Sequence, residues 1–319
     1  MAFLVCTLRI AFPSPLRYDG DMDCIEFDDV SFAYPPVEGD LDAEGRQIVP
    51  APVFDHFTGA VPSGSDGAAA GSAGAAGSLT SLIGPNGSGK STFMLLASGR
   101  LLPQSGCCRL FGQDVARLGG EQKNLLASVI YQNMEFESDE AVDRLLSFVY
   151  SAGALKGKAA GIRAPSRDLL AELTDVLELE KVMDRGLRQL SKGEIQRVLL
   201  AFSLLYGSAS VFMDEPLFAM EDAQKDRALA YLREYAVKTG TALFVSMHEL
   251  DLSRRHADKV LLFHPDRTID YGTPDEVMTD EGLEKAYGVP VSLLKKQEDM
   301  TREELKAAAD AILKVQANA

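Results

Sequence analysis

The stretch SLIGPNGSGKST, from Ser81 to Thr92, joins an apolar strand pattern, a glycine-rich turn and the start of a helical pattern. It fits G-x-x-x-x-G-K-[ST] at Gly84, Gly89, Lys90 and Ser91. Glycines let successive backbone N–H groups curl around an anion, and the N-terminus of the following helix adds partial positive charge. The motif therefore predicts a phosphate-binding loop. In such a loop the lysine reaches the β- and γ-phosphates and the serine hydroxyl binds Mg²⁺.

An acidic pair further along the chain is the expected partner of this loop. Asp214 and Glu215 follow the apolar run SASVFM, which is typical of a buried strand. At the end of such a strand, Asp214 would hold Mg²⁺, commonly through water, and Glu215 would orient and deprotonate an attacking water. Taken alone, an acidic strand end is more often a solvent-facing surface. Its position downstream of a phosphate-binding loop favours the metal and base roles.

The composition limits the classes of partner. The chain has 319 residues and a formal net charge of −15, which disfavours binding along the phosphates of DNA or RNA. No apolar run approaches the roughly 20 residues needed to cross a bilayer, and the opening segment lacks the pattern of a signal peptide. The four cysteines form no disulfide framework and fit a reducing cytosol. We therefore expect a cytoplasmic protein that does not bind nucleic acid.

Strand and helix patterns alternate through most of the chain. Residues 24–34 alternate apolar and polar positions, as a half-buried strand does, while ALFVSMH and KVLLFH are short strands of the buried type. Helical patterns lie between the buried strands, which predicts an α/β fold with a parallel sheet. Residues 139–190 show helical patterns without strand patterns, so we expect a helical subdomain there.

A low-complexity run precedes the phosphate-binding loop. Residues 63–78 contain only Gly, Ala and Ser apart from Asp66. Such a run has no large side chain to bury, so we expect a flexible surface insertion that contributes nothing to the core. It separates VFDHFTGAVP from SLTSLIG, two strand-like stretches, and we expect it to lengthen the tip of a hairpin formed by them.

A further motif links the loop and the acidic pair to a known family. The sequence LSKGEIQR, from Leu190 to Arg197, lies upstream of the acidic pair and opens a helical pattern. Taken with the other two motifs, it resembles the LSGGQ signature of the ATP-binding cassette (ABC) ATPases, in which two nucleotide domains sandwich two ATP molecules head to tail. The resemblance covers Cys24 to Leu294.

The signature resemblance implies a role in trans for these residues. In the family this segment binds the γ-phosphate held by the other subunit, which here would be contacted by Ser191 and the Gly193 amide. Lys192 and Glu194 stand where the family has a glycine and the glutamine. Glu221 stands where the family has an aspartate at the subunit interface.

The resemblance also gives roles to three isolated residues that, taken singly, are more often structural. Gln132, in VIYQNME, matches a glutamine that senses Mg²⁺ and faces the transport subunit. His248, in VSMHELD, matches a histidine that contacts the γ-phosphate. Tyr34, in SFAYP, matches an aromatic residue that stacks on adenine. The nucleotide-binding residues implied by the loop and the family together are Tyr34, Gly84, Asn86, Gly87, Ser88, Gly89, Lys90, Ser91, Thr92 and Gln132; the metal-binding residues are Ser91, Gln132 and Asp214, and the catalytic residues are Glu215 and His248.

The family fold is α/β: a P-loop NTPase of the ABC type, with a RecA-like parallel-sheet core, an antiparallel β subdomain and a helical subdomain. On this resemblance, residues 22–294 form the ATPase domain. We expect residues 1–21 to be a dispensable extension and residues 295–319 to be a helical tail, whose Thr301 and Glu304 fit a capping box. ATP and Mg²⁺ are the implied cofactors.

Three functions remain open for such a cassette: the ATPase subunit of a membrane transporter, a non-transport ABC ATPase acting on nucleic acid or the ribosome, and a nucleotide-sensing scaffold. The short, non-heptad segment before the signature, the single cassette and the acidic charge favour transport. Transport implies separate permease subunits, a second copy of the ATPase, and a position on the inner face of the cell membrane. The segment YGTPDEVMTDEGLEKAYGVPV resembles the ends of ATPases of iron–siderophore, haem, cobalamin or metal importers, which implies a substrate-binding protein as well.

Overall fold

The computed structural model of the protein describes most of the cassette region. The described residues are 23–39, 45–63, 75, 77–131, 138–152 and 169–294. The proposed N-terminal extension, the C-terminal tail, most of the low-complexity run and Gln132 lie outside the described residues. Their expected roles stay predictions.

Two β-sheets organise the described residues. The first is antiparallel, with the order β2-β1-β4-β5. Its strands are β1 (Asp23–Phe32), β2 (Phe54–Pro62), β4 (Ser105–Leu110) and β5 (Gln113–Asp114). The second sheet has the order β10-β9-β3-β8-β7-β6 and is parallel except for its edge strand β10. Its strands are β3 (Leu79–Ile83), β6 (Ala127–Ile130), β7 (Ser210–Asp214), β8 (Ala242–Ser246), β9 (Lys259–Phe263) and β10 (Ile269–Gly272).

Helices connect and cover the parallel sheet. They are α1 (Lys90–Ala97), α2 (Gly120–Leu126), α3 (Val142–Ala152), α4 (Leu169–Val176), α5 (Lys192–Tyr206), α6 (Asp222–Thr239), α7 (Leu250–His256), α8 (Pro274–Val277) and α9 (Asp280–Tyr287). The described residues between 139 and 190 contain α3 and α4 and no β-strand, in agreement with the helical pattern. None of the described helices combines the length and apolar character that a bilayer span requires.

The expected hairpin between the strands that flank the low-complexity run is wrong. Strand β2 pairs with β1 in the antiparallel sheet, whereas β3 pairs with β8 and β9 in the parallel sheet. The burial patterns give the physical reason. All five residues of β3 are buried, as a central parallel strand requires, while β2 exposes alternate residues.

The expectation that the low-complexity run has nothing to bury is wrong at its C-terminal end. Ala75 is fully buried and belongs to the same core cluster as Phe54 and Phe93. Its backbone N–H donates to the Pro62 carbonyl at 2.8 Å, and its own carbonyl accepts from Ser78 N. A small side chain can be a core residue where two backbones approach closely, so small size is a poor guide to exposure.

Candidate functional site

The phosphate-binding loop lies where β3 ends and α1 begins, and its shape depends on glycine. Gly84 has φ 142°, and a Cβ added there would lie 2.5 Å from the Phe263 carbonyl oxygen of β9. Gly89, with φ 106°, is the N-cap of α1 and faces the Val53 and Phe54 side chains. The loop is therefore pressed against β9 and the start of β2, and a side chain at Gly84 would push it away from the sheet.

Lys90 points into its own loop. Its side-chain Nζ donates to the carbonyl oxygens of Gly84 at 2.8 Å and Pro85 at 3.1 Å, and the residue is only 7% exposed. Burial lowers the pKa of this amine, and the nearby carboxylates of Asp214 and Glu215 partly oppose that shift. A buried ammonium group needs acceptors, which the loop carbonyls provide here and which phosphate oxygens can also provide.

The acidic pair sits at the carboxyl end of β7, at the same edge of the parallel sheet as the loop. Ser246, the last residue of β8, is hydrogen-bonded to both acidic residues. The Ser246 hydroxyl donates to Asp214 Oδ1 at 2.6 Å and accepts from the Glu215 backbone N–H at 3.0 Å. Glu215 has φ 49°, a left-handed conformation that is unusual for a non-glycine residue. Such conformations concentrate at functional sites, where the surrounding structure holds them.

His248 is brought to this pair by the loop after β8. Its Nε2 lies 2.6 Å from Glu215 Oε1. The hydrogen bond to Glu215 raises the pKa of His248, and burial and the charge of Lys90 act in the opposite direction. The structure therefore places Lys90, Asp214, Glu215 and His248 at one edge of the sheet, and their roles in nucleotide binding and hydrolysis stay predictions.

Tyr34 approaches the loop helix from the antiparallel sheet. Its phenol oxygen lies 3.1 Å from Thr92 Oγ1, and the residue is 42% exposed. Phe32 packs edge-on against the Tyr34 ring, with 5.1 Å between the ring centroids. This arrangement fixes an accessible aromatic ring beside the first turn of α1, and the adenine-stacking role of Tyr34 stays a prediction.

The signature segment forms the N-terminus of α5 and is held by a capping box. Glu194 Oε2 accepts from the Ser191 backbone N–H at 2.7 Å and from its hydroxyl at 2.8 Å. The Arg185 guanidinium donates to Glu194 Oε1 at 3.1 Å. Burial opposes ionisation of Glu194, but the bonds from Ser191 and the charge of Arg185 outweigh it and lower the pKa of this carboxyl. Glu194, which replaces the family glutamine, thus completes the capping box of the helix, whose N-cap is Ser191.

The two other signature residues differ in their surroundings. A Cβ on Gly193 would lie 2.8 Å from the Ala219 carbonyl oxygen, so this glycine permits close contact with the loop that follows the acidic pair. Lys192 is exposed at the first position of α5. In the described part of the chain, the hydrogen bonds of this segment do not reach the phosphate-binding loop. The structure therefore leaves the signature outside the cluster around Lys90.

Two contacts to the site were missed at the sequence level. Ser246 ends a strand two residues before His248. A polar residue at the end of a predicted strand is the sequence feature that could have indicated this contact. Tyr287, at the end of α9, accepts a hydrogen bond from the Gly84 backbone N–H at 3.0 Å through its hydroxyl. Gly84 and Tyr287 are 203 positions apart, and no local pattern links them.

The fold and this cluster of side chains define the class of site. A glycine-rich loop that opens a helix at the carboxyl edge of a parallel sheet, with a lysine and a strand-end carboxylate beside it, is a P-loop nucleoside-triphosphate site.

Comparison with known proteins places the chain within that class. Residues 74–218 match the family model described as ABC transporter. The vitamin B12 import ATP-binding protein BtuD of Vibrio atlanticus is 31% identical over 67% of this chain and 85% of its own length. The hemin import ATP-binding protein HmuV of Enterobacter cloacae is 29% identical over 67% of this chain and 81% of its own. The petrobactin import ATP-binding protein FatE of Bacillus anthracis is 28% identical over 68% of this chain and 85% of its own. The chain belongs to the ABC transporter family, as an ATPase.

Solved structures agree on the fold. The ATP-binding subunit of an ABC transporter superimposes with a TM-score of 0.60 at 20% identity, covering 86% of this chain and 98% of that one. A putative metal-chelate type ABC transporter gives a TM-score of 0.56 at 20% identity, with coverage of 84% and 90%. At this level of identity the likeness concerns the fold alone.

Proposed function

We propose that this ATPase powers a membrane importer, with hydrolysis at the cluster of Lys90, Asp214, Glu215 and His248. The observation that carries the proposal is the contact of 2.6 Å between Glu215 and His248, beside a buried lysine at the phosphate-binding loop. A carboxylate held next to the triphosphate site can accept a proton from water, which a binding module without turnover does not need.

The side chains divide the work of hydrolysis. Lys90 exchanges its two loop carbonyls for phosphate oxygens, and Tyr34 stacks on the adenine ring. Glu215 is the general base, which accepts the proton of the attacking water. His248 orients that water and the terminal phosphate through its contact with Glu215. Because the left-handed backbone of Glu215 is held by Ser246, the base is in position before ATP arrives.

The same edge of the sheet fits Mg²⁺. Ser91 presents an exposed hydroxyl at the start of α1, and Asp214 keeps a carboxylate oxygen beyond the one bonded to Ser246. Two such oxygen donors, completed by nucleotide phosphates and water, are a usual set for this cation, and Gln132 is the third expected ligand. When bound, Mg²⁺ neutralises charge on the phosphates.

A second copy of the chain completes the site in this proposal. Ser191 is exposed at the N-cap of α5, where backbone N–H groups and the helix dipole favour an anion. The γ-phosphate of the partner copy would replace the Glu194 carboxylate as the acceptor for the Ser191 hydroxyl. The Arg185 guanidinium, 3.1 Å from the other Glu194 oxygen, offsets part of the carboxylate charge beside the incoming phosphate.

The relatives indicate the kind of transport. The three relatives named above are import ATP-binding proteins for vitamin B12, hemin and petrobactin. We propose a cargo of the same class, a haem, an iron chelate or a cobalamin, delivered by a substrate-binding protein to permease subunits on which this chain sits at the inner face of the membrane.

Deletion of the gene tests the proposal. Uptake of haem, ferric siderophore and cobalamin is measured in the deletion strain and after complementation with wild type or with Glu215→Gln. We expect loss of at least one uptake activity and its recovery with the wild type only. Unchanged uptake of all three, from a chain whose purified form hydrolyses ATP, would show that this ATPase drives something else.

A further inference from the structure

The turn between β9 and β10 places an arginine in a conformation that favours glycine. His264 N–H donates to the Thr268 carbonyl at 2.9 Å, and Arg267 N–H donates to the His264 carbonyl at 3.0 Å. Arg267 has φ 70°. This is the left-handed position of a tight hairpin turn, where glycine or asparagine is the usual residue. An arginine there needs a reason beyond closing the turn.

The turn that carries Arg267 is held firmly. The Asp266 Oδ1 atom accepts from the Thr268 backbone N–H at 3.1 Å and from the Thr268 hydroxyl at 2.6 Å. At the base of the turn, His264 is fully buried and its Nε2 lies 2.8 Å from Asp270 Oδ2. Because these contacts fix the backbone on both sides of Arg267, the turn sets the direction in which its Cα–Cβ bond leaves the backbone.

The Arg267 side chain reaches the phosphate-binding loop from the outside. One guanidinium nitrogen donates to the Gly87 carbonyl oxygen, and the same nitrogen lies 3.9 Å from the point that a Cβ on Gly89 would occupy. Within the described residues, the guanidinium makes this one hydrogen bond and no ion pair. The charge of Arg267 is thus directed at the tip of the loop.

This contact sets the direction of one peptide unit in the loop. The C=O of Gly87 and the N–H of Ser88 belong to the same planar trans peptide, so they point in opposite directions. With the carbonyl held outward by Arg267, the Ser88 N–H points across the loop, where it lies 3.3 Å from the Pro85 carbonyl oxygen. Pro85 also accepts from Lys90, so that N–H faces the same interior as the lysine. Inward N–H groups are what such a loop offers to phosphate.

We propose that Arg267 is a positioning residue for nucleotide binding, which fixes the Gly87–Ser88 peptide with its N–H toward the phosphates. The inference rests on ATP binding at this loop and goes beyond it by adding a cation from the β9–β10 turn. Without the guanidinium, this peptide would keep only the 3.3 Å bond from the Ser88 N–H to the Pro85 carbonyl. Nucleotide would then bind more weakly, because part of the binding free energy would be spent on ordering the loop. The step of hydrolysis itself would be unaffected.

The left-handed backbone of Arg267 permits a sharp test. Arg267→Gly removes the guanidinium while relieving the backbone, so its nucleotide-free melting temperature should stay within about 3 °C of the wild type. We expect its KM for ATP and its Kd for ADP to rise about tenfold, the size of one charge-assisted hydrogen bond, with kcat within about twofold of the wild type. Arg267→Lys, which retains the charge and one donor, should recover part of the affinity.

A matched control is available in the antiparallel sheet. Asp29 is also a charged residue with a left-handed backbone, φ 53°, and its carboxylate contacts His56 instead of the loop. Asp29→Gly should leave KM, Kd and kcat unchanged. A KM for Arg267→Gly within twofold of the wild type, or an equal rise in Asp29→Gly, would overturn the role of Arg267. Absence of ATP hydrolysis by the wild type would instead overturn the function on which it rests.

Discussion

Replacing Glu215 by glutamine should separate ATP binding from hydrolysis. The substitution keeps the size of the side chain and its capacity to contact His248, and it leaves the backbone contact with Ser246 in place. It removes the ability of the side chain to take up a proton. It also removes a negative charge close to the phosphates. ATP should therefore bind at least as tightly, because nothing that holds the nucleotide is lost and one repulsion is relieved.

The expected loss of turnover follows from the role of the Glu215 carboxylate as general base and from its burial away from bulk water. A positioned general base contributes about 10²–10⁴-fold to a rate. The Glu215 side chain is only 14% exposed, so bulk water is a poor substitute for it as a proton acceptor. We therefore expect the upper half of that range, a loss of about 10³-fold or more, which corresponds to about 4 kcal/mol in the barrier.

Three measurements check this expectation. Phosphate release should fall by that factor while the Kd for ATP changes less than threefold. In nucleotide-free protein, an NMR titration should show that the pKa of His248 decreases in Glu215→Gln, because the bond to Glu215 is the largest cause that raises it. The double variant Lys90→Ala, Glu215→Gln gives the background of contaminating ATPases. Turnover of Glu215→Gln within tenfold of the wild type would refute the assignment of Glu215 as the base.

Three further expectations concern the loop, the signature and the low-complexity run. Lys90→Ala should lose at least about 10² in turnover because the main countercharge to the phosphates is removed, and hydrolysis at the wild-type rate would argue against the site. Ser191→Arg, added to Glu215→Gln, should abolish an ATP-dependent dimer in size-exclusion chromatography while the monomer still binds ATP; a persisting dimer would show that the signature does not act across an interface. Deletion of residues 65–74 should change the melting temperature by less than about 3 °C, whereas Ala75→Asp, which buries a carboxylate, should lower it by more than about 5 °C. A larger decrease in melting temperature for the deletion than for Ala75→Asp would contradict the packing of Ala75.

The features of the fold and of the candidate site that could be predicted from sequence are local or appear as strong periodic patterns. The glycine-rich loop is contiguous, and its glycines meet backbone conformations and close contacts that other residues cannot. Buried parallel strands such as β7 and β8 stand out because both of their faces must be apolar, and their ends then mark the edge where polar residues meet. The capping box at Ser191 and Glu194 is also a short-range feature, but it was not singled out from the sequence.

Tertiary structure alone decided how distant segments meet at this edge. The strands on either side of the low-complexity run were expected to pair with each other, but they lie in different sheets, because strand pairing depends on which faces are covered. Arg267 contacts Gly87 across 180 positions, and Tyr287 contacts Gly84 across 203. Such contacts arise because β9 lies beside β3 in the folded sheet, and no residue pattern along the chain encodes that adjacency. The sequence by itself determined the chemistry of the loop and of the acidic pair, and the packing of β9 and α9 against β3 determined which other side chains hold that loop in shape.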